Sequence, residues 1–314
     1  MPRTSLVTGG AGFIGSHLVD RLLEIGDRVV VVDNLSAGRR EHVNRAAEFH
    51  EVDIRSPGVR DLVRSVSPDV VFHLAAQMSV AVSAREPVLD ADINVLGTLN
   101  VLEGVRGASS DGRMARVVFA SSGGAVYGEP DSLPALETHP CRPVSPYGAS
   151  KAACETYLGT YRFVYGLDYS ILRLANVYGP RQDPHGEAGV VAIFGNAMLK
   201  DEPIRIFGDG TDERDYVYVG DVVTAFELAG RAAAKSTGPY NIGSGEGTSV
   251  EALARSMAGL TGYRKPPVHV PPRQGDLHRI RLDWSRARRE LGWSPTVTFA
   301  TGLARTIDSF RRPG

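Results

Sequence analysis

A glycine-rich turn near the start of the chain places the strongest constraint on the fold. The run TGGAGFIG (8–15) follows a short apolar stretch and precedes a pattern typical of a helix. Its glycines Gly9, Gly12 and Gly15 let a backbone turn approach a pyrophosphate held at the helix N-terminus. Asp33 ends the next predicted strand, near the expected ~20 residues further on, where a carboxylate binds a ribose 2′-hydroxyl and repels a 2′-phosphate. The pattern predicts a dinucleotide site that prefers NAD to NADP.

Short apolar runs alternate with helical patterns through the first half of the chain. The predicted strands cover residues 5–8, 28–33, 48–53, 69–74 and 116–120, with a first helix over 13–25. Dense apolar runs without strict alternation are expected when both faces of a parallel sheet are covered. The sequence therefore predicts an α/β fold with a doubly wound parallel (Rossmann) sheet.

The second half is richer in proline and glycine, which indicates a smaller C-terminal α/β lobe for substrate. We expect an NAD-binding domain over 1–175 and the lobe over 176–314, with a helix near 220–234 that returns to the first domain. The segment YRKPPVHVPP (263–272) is predicted to be a stiff connector without secondary structure.

Composition excludes several classes of function. The 314 residues include 35 Lys+Arg and 36 Asp+Glu, a net charge of −1, so nucleic-acid binding and attraction to an anionic membrane are not expected. The longest apolar strand-like run, VVVV (29–32), is far too short to cross a bilayer. Cys141 and Cys154 fit neither a disulfide framework nor a zinc site. We expect a soluble, cytoplasmic protein without a bound metal.

Tyr147 and Lys151 stand four residues apart at the start of a predicted helix, so they share one face. Tyrosine has a reference pKa of ~10 and is a poor base at neutral pH. A cation one turn away, together with a nicotinamide cation, is expected to lower that pKa. The pair would then accept a proton from an alcohol as its hydride leaves.

Several motifs together resemble the extended short-chain dehydrogenase/reductase family. They are TGGAGFIG (8–15), HLAAQ (73–77), SSGGAVYG (121–128), YGASK (147–151) and NVYGPRQ (176–182). Within that family, RDYVYVGDV (214–222), YNIGSGEGTS (240–249) and RQGDL (273–277) are similar to UDP-glucose 4-epimerases. The resemblance covers essentially the whole chain and implies NAD-dependent epimerisation of a UDP-hexose through a 4-keto intermediate.

The resemblance also implies site residues. The NAD site would comprise Gly9, Gly12, Phe13, Ile14, Gly15, Asp33, Asn34, Ser36, Gly38, Asp53, Ile54, Leu74, Ala75, Ala76, Gln77, Asn94, Tyr147 and Lys151. The UDP-sugar site would comprise Gly123, Asn176, Val190, Arg205, Phe207, Arg214, Arg273 and Asp276. Tyr147 would be the catalytic base and Lys151 its ribose-binding partner.

One position departs from the family pattern. A Ser or Thr usually lies three residues before the V-Y-G triplet, whereas this chain has Gly123 there. Ser122, Ser121 or a water would then supply the missing hydroxyl, and the glycine is expected to widen the hexose pocket.

The identity of the sugar stays open at this point. UDP-glucuronate is an alternative, with Ser121, Ser122, Arg181 or His185 as donors to its carboxylate. UDP-N-acetylglucosamine is another, with Ile280 at the position that gates the pocket. A nucleotide-sugar dehydratase or decarboxylase, and a non-catalytic NAD sensor, are less favoured.

The resemblance finally implies a homodimer. Helices predicted over 88–106 and 147–165 are similar to the pair that forms a four-helix interface in the family.

Overall fold

The structure is a computed structural model that describes residues 2–108, 114–184, 189–233, 236–272 and 277–311. Its strands are β1 (Thr4–Thr8), β2 (Arg28–Asp33), β3 (Glu48–Glu51), β4 (Val70–His73), β5 (Arg116–Ser122), β6 (Tyr169–Leu174), β7 (Asn176–Tyr178), β8 (Arg205–Phe207), β9 (Glu213–Arg214), β10 (Tyr216–Tyr218), β11 (Tyr240–Ile242), β12 (Thr248–Ser249) and β13 (Val268–Val270). Its α-helices are α1 (Phe13–Glu24), α2 (Gly58–Val66), α3 (Val80–Arg85), α4 (Pro87–Ala91), α5 (Gly97–Gly107), α6 (Gly123–Tyr127), α7 (Pro146–Tyr165), α8 (Val190–Leu199), α9 (Val219–Arg231), α10 (Val250–Thr261), α11 (Ser285–Leu291) and α12 (Phe299–Arg311).

A seven-stranded parallel sheet organises the first half, in the order β11-β6-β5-β4-β1-β2-β3. Its central strands are buried on both faces, and the four residues of β4 have at most 1% of their surface exposed. Helices cover both faces, which agrees with the near-continuous apolar runs of the strands. The predicted doubly wound sheet is confirmed, and the carboxyl ends of its strands form one edge.

The chain returns to this sheet after leaving it. Helix α9 packs against α1 and the β5 and β6 strands, and β11 adds an edge strand beside β6. Helices α8, α10 and α12 surround a separate apolar core that includes Phe194, Leu253 and Leu303. The predicted C-terminal α/β lobe is thus present, and its division from the sheet at residue 175 stays a prediction.

Two sequence predictions need correction. The segment 263–272 is not a plain connector, because β13 pairs in parallel with β8; prolines flank it but leave the N–H groups of 268–270 free for pairing. The helix predicted over 88–106 runs from α4 to α5 through a π-helical stretch, Asp92–Leu96. Such stretches are frequent at functional sites.

Candidate active site

The glycine turn lies between β1 and α1. Gly9 has φ +72°, and a side chain on Gly15 would overlap the Gly9 carbonyl oxygen. Gly12 caps α1 without a side-chain hydrogen bond. The first N–H groups of α1, at Phe13 and Ile14, therefore have no side-chain partner and suit an anion.

Asp33 is buried at the end of β2, beside this turn. Its carboxylate accepts hydrogen bonds from the N–H groups of Ala11 at 3.0 Å and Leu35 at 2.8 Å. Burial raises the pKa of Asp33. A Cβ on Gly38 would lie 2.9 Å from the Asp33 Oδ1 atom, so the loop after β2 folds closely against the carboxylate.

The loop after β2 also contacts the end of β3. Asn34 donates from Nδ2 to Asp53 Oδ2 at 2.9 Å and accepts from the N–H of Ser36 at 3.1 Å. Hydrogen bonds from Arg55 lower the pKa of Asp53 to about 2, so this carboxylate is ionised near neutrality. Ile54 is buried next to it.

The segment after β4 comprises the predicted residues Leu74, Ala75, Ala76 and Gln77. Asn94, in the π-helical stretch, holds this segment: its Oδ1 accepts from the N–H of Gln77 at 2.8 Å, and its Nδ2 donates to the carbonyl of Gln77 at 3.0 Å. The π-helical turn thus carries the side chain that fixes the edge of the sheet.

Sequence reasoning missed His73, which links the two parts of this edge. Its ring lies between the hydroxyls of Thr8, at 2.7 Å, and Thr98, at 2.9 Å. Burial lowers the pKa of His73 to about 3, so the ring is neutral. His73 is the first residue of the HLAAQ motif (73–77), but no sequence pattern around it distinguishes a buried, neutral histidine from any other.

Tyr147 and Lys151 lie on the first turns of α7. Ser145 caps that helix by accepting from the N–H of Gly148, and Pro146 occupies its first turn. Lys151 is buried, and its Nζ donates to the carbonyl of Ala120 at 3.0 Å. Burial lowers the pKa of Lys151.

Burial is the main influence on the pKa of the Tyr147 phenol. Burial raises the pKa of Tyr147 to about 12, and only its hydrogen bond with the Ser122 side chain acts in the opposite direction. The Lys151 amine lies 5.9 Å from the centre of the tyrosine ring and bonds to Ala120. The joint effect of this lysine and a nicotinamide cation on the pKa of Tyr147 stays a prediction.

The adjacent serines of β5 have different neighbours on α7. Ser122 lies beside the phenol of Tyr147, whereas Ser121 donates to Glu155 at 2.5 Å. Glu155 also forms a buried ion pair with Arg173 at 2.6 Å. Ser121 therefore belongs to this buried hydrogen-bond network, and the choice between Ser121 and Ser122 as the catalytic hydroxyl stays a prediction.

Gly123 does not widen the pocket as expected. A Cβ at this position would lie 2.6 Å from Cδ1 of Leu282, which is fully buried. The space is filled by a side chain from the C-terminal part of the chain. Ile280 is likewise buried in this cluster.

The predicted UDP-sugar residues lie on short elements of the lobe. Asn176 begins β7, Val190 begins α8, Arg205 and Phe207 are the ends of β8, and Arg214 ends β9. The β7 and β10 strands pair so that Asn176 lies opposite Tyr216, two residues after Arg214. Arg273 and Asp276 lie outside the described residues.

Comparison with known proteins decides the family. The sequence profile of the NAD dependent epimerase/dehydratase family matches residues 5–243. This chain belongs to the NAD-dependent epimerase/dehydratase family.

Its relatives are similar along their full length. The chain is 50% identical over 312 residues to a UDP-glucose 4-epimerase of Mycolicibacterium smegmatis, covering 98% of both proteins. It is 49% identical to the Thermotoga maritima UDP-glucose 4-epimerase solved with UDP-glucose, with a TM-score of 0.93 and 98% of both chains covered. The Thermus thermophilus UDP-glucose 4-epimerase solved with NAD is 48% identical, with a TM-score of 0.92 and coverage of 98% and 99%.

The described residues fit the cofactor of this family. The glycine turn leaves the N-terminal N–H groups of α1 without side-chain caps, and Asp33 lies at the strand end beside them. Within the described ranges, no group of His, Cys, Asp and Glu could hold a metal ion. In the same ranges, no helix is long and apolar enough to cross a membrane.

Proposed function

We propose that this chain interconverts UDP-glucose and UDP-galactose as an NAD-dependent 4-epimerase. The buried pair Tyr147 and Lys151 carries the proposal, because Lys151 bonds to Ala120 near the end of β5 and the pair thus lies at the same sheet edge as the glycine turn. The relatives named UDP-glucose 4-epimerase, at 47% to 50% identity, support the choice of substrate.

In the proposed reaction, Tyr147 takes the proton of the sugar 4-hydroxyl and returns it to the same oxygen after the keto sugar has turned. Ser122, whose hydroxyl lies beside the Tyr147 phenol, would hold the proton-transfer path. Bound NAD would accept the hydride from carbon 4 and supply it again to the opposite face of that carbon. Lys151 lies one helical turn from Tyr147 and would bind the cofactor ribose.

The raised pKa of Tyr147 makes ligand charge part of the mechanism. Without ligand the phenol stays protonated at neutral pH, since its pKa is about 12. A cationic ring nearby favours the phenolate and lowers that pKa. The base would then be generated in the complex with NAD.

We assign the cofactor to the glycine turn, the loop after β2, the end of β3 and the segment 74–77 held by Asn94. We assign the UDP group to the lobe residues and the sugar to the edge near Ser122. Arginines such as Arg205 and Arg214 suit a diphosphate, and tight binding of the nucleotide leaves the sugar free to turn.

UDP-glucuronate fits this arrangement less well. Arg181, a predicted donor to its carboxylate, forms an ion pair with Asp20 on α1 at 2.8 Å. Ser121 is bound to Glu155. His185 lies outside the described residues. For a dehydratase, the residues between Ser122 and Tyr127 supply no carboxylic acid to protonate a leaving group.

A panel of nucleotide sugars tests the proposal. The purified protein is incubated with UDP-glucose, UDP-galactose, UDP-glucuronate and UDP-N-acetylglucosamine, and the epimers are separated by chromatography. We expect UDP-glucose and UDP-galactose to equilibrate from either side. Equilibration of another sugar alone, or accumulation of a 4-keto product, would overturn the assignment.

We also infer a homodimer, based on apolar side chains that the single chain leaves exposed on its helices. The exposed fraction is 81% for Val88 on α4, 53% for Leu96 at the end of the π-helical stretch and 92% for Phe163 on α7. Phe163→Asp is expected to give a monomer in sedimentation experiments. The two free cysteines support a reducing, cytoplasmic location.

A further inference from the structure

A short segment near the C-terminus, residues 277–283, crosses the sheet edge beside the catalytic serine; we call it the strap. One side of the strap bonds to β9: the N–H of Glu213 donates to the carbonyl of His278 at 2.9 Å, and the N–H of Ile280 donates to Glu213 at 3.3 Å. The carboxylate of Glu129 accepts from the N–H groups of His278 and Arg279 at 3.1 and 3.3 Å. The strap is therefore held at its beginning.

Asp215 holds the other end. This carboxylate is fully buried and accepts from the N–H of Leu282 at 3.0 Å and the N–H of Gly245 at 3.1 Å. On the opposite side of the strap, the N–H of Ala135 donates to the carbonyl of Arg281 at 2.7 Å. The backbone of Leu282 is thus fixed from two directions.

The fixed backbone directs the Leu282 side chain onto Gly123. The contact is so close that a Cβ on Gly123 would lie 2.6 Å from Cδ1 of Leu282. Val126 and Tyr127 complete this buried apolar cluster. Because the Leu282 side chain is a hydrocarbon, it acts on the site through packing.

Gly123 follows Ser122 directly, and Ser122 is the N-cap residue of α6. A serine at an N-cap commonly accepts from an N–H group of the helix, but Ser122 makes no such bond. Its hydroxyl instead lies beside the phenol of Tyr147. A contact elsewhere must therefore favour the Ser122 rotamer that faces Tyr147 over the rotamer that would cap α6.

We propose that Leu282 is a positioning residue: packed on Gly123, it fixes the start of α6 so that the Ser122 hydroxyl meets Tyr147. Asp215 acts one step further away, by holding the backbone of Leu282. The inference rests on the proposed function for the role of Ser122. It also gives a physical reason for glycine at position 123, where the family usually has Ser or Thr, because a larger residue would overlap Leu282.

Leu282→Ala tests this directly. The variant removes the contact with Gly123, so turnover is expected to fall about tenfold while KM for the nucleotide sugar changes little. Leu303→Ala is the matched control, because Leu303 is 1% exposed in the separate core of the lobe. Both variants lose a buried leucine and should lose similar stability, but only Leu282→Ala should lose turnover at temperatures where both are folded.

A double-mutant cycle shows whether the effect passes through the serine. In a Ser122→Ala background, adding Leu282→Ala is expected to cause no further loss of turnover, since the residue being positioned is gone. Gly123→Ala should impair the enzyme by overlap with Leu282, and Leu282→Ala should relieve part of that loss.

A second readout does not depend on epimerase activity. The ionisation of Tyr147 is followed by ultraviolet absorbance in protein with bound NAD and no sugar, as the difference from Tyr147→Phe. Leu282→Ala is expected to shift this titration to higher pH, as Ser122→Ala does, and Leu303→Ala is expected not to shift it. If Leu282→Ala has the turnover and titration of Leu303→Ala, the positioning role is refuted. If the unmodified protein fails to epimerise UDP-glucose, the proposed function fails, while the titration still decides the role of Leu282.

Discussion

The two ends of the proposed site are built in different ways. At the nucleotide end, the glycine turn and Asp33 come from neighbouring segments of the chain, and the N–H of Ala11 joins them directly. At the sugar end, Ser122, Tyr147 and Leu282 come from β5, α7 and the strap, which are far apart in sequence. Local sequence therefore specifies the first end, whereas long-range packing specifies the second.

The largest difference between the ends should come from Tyr147→Phe. Removing the hydroxyl removes the proposed base, so turnover is expected to fall about 100- to 10,000-fold. The glycine turn does not contain this residue, and NAD affinity should change little by comparison. Turnover is measured by chromatography of epimers and NAD binding by calorimetry. An active variant would remove Tyr147 from the mechanism.

Gly15→Ala tests the nucleotide end. The new methyl group would overlap the Gly9 carbonyl oxygen, so the turn must shift and NAD affinity should fall about 10- to 100-fold. Gly259→Ala on α10 is the control, since no atom lies within 4 Å of its Cβ. Thermal unfolding without cofactor separates a shifted turn from an unfolded protein. Unchanged affinity for NAD in Gly15→Ala would contradict the assignment of the turn.

The nucleotide end could be predicted from sequence because its signals are local. The strand β2 ends at Asp33, as the apolar pattern indicated, and the helix after the glycine turn begins at Phe13. The role of His73 could not be predicted, since its partners Thr8 and Thr98 are brought to it only by the fold. Whether these residues bind NAD remains a proposal.

The adjacent serines offer a matched comparison at the sugar end. Ser122→Ala is expected to lower turnover about 10- to 100-fold, because a hydrogen bond to the charged phenolate is lost. Ser121→Ala should leave turnover nearly unchanged and lower the free energy of unfolding by about 1 kcal/mol, because Glu155 loses a buried partner. Kinetics and chemical denaturation measure the two effects. The reverse pattern would show that Ser121 is the catalytic hydroxyl.

Sequence alone could not separate these serines. The predicted strand stopped at Ala120, but β5 continues through Ser122, and the neighbours that distinguish the two serines, Tyr147 and Glu155, lie on α7. The expectation of a wider pocket at Gly123 failed for a related reason. The residue that fills the space is Leu282. Its N–H bonds to Asp215 and its neighbours Arg281 and Asp283 bond to Ala135, and no local sequence pattern predicts these long-range contacts.

The effect that is smallest near neutral pH concerns the pH dependence of NAD affinity. If the bound cation lowers the pKa of Tyr147 from about 12, the phenolate form binds NAD more tightly than the phenol form. Affinity should then rise with pH between the lowered pKa and about 12, by at most about tenfold per pH unit for one proton. Calorimetry compares the wild-type protein with Tyr147→Phe, in which this rise should be absent. Parallel pH profiles would mean that the two ends of the site are not coupled through Tyr147.

Isotopic labelling at carbon 4 of the sugar tests whether the site oxidises and then reduces one carbon while the same NAD stays bound. UDP-glucose carrying deuterium at that carbon is incubated with the protein, and the UDP-galactose formed is analysed by NMR and mass spectrometry. We predict that the product keeps the deuterium at carbon 4. Inversion accompanied by release of the deuterium into water would contradict it.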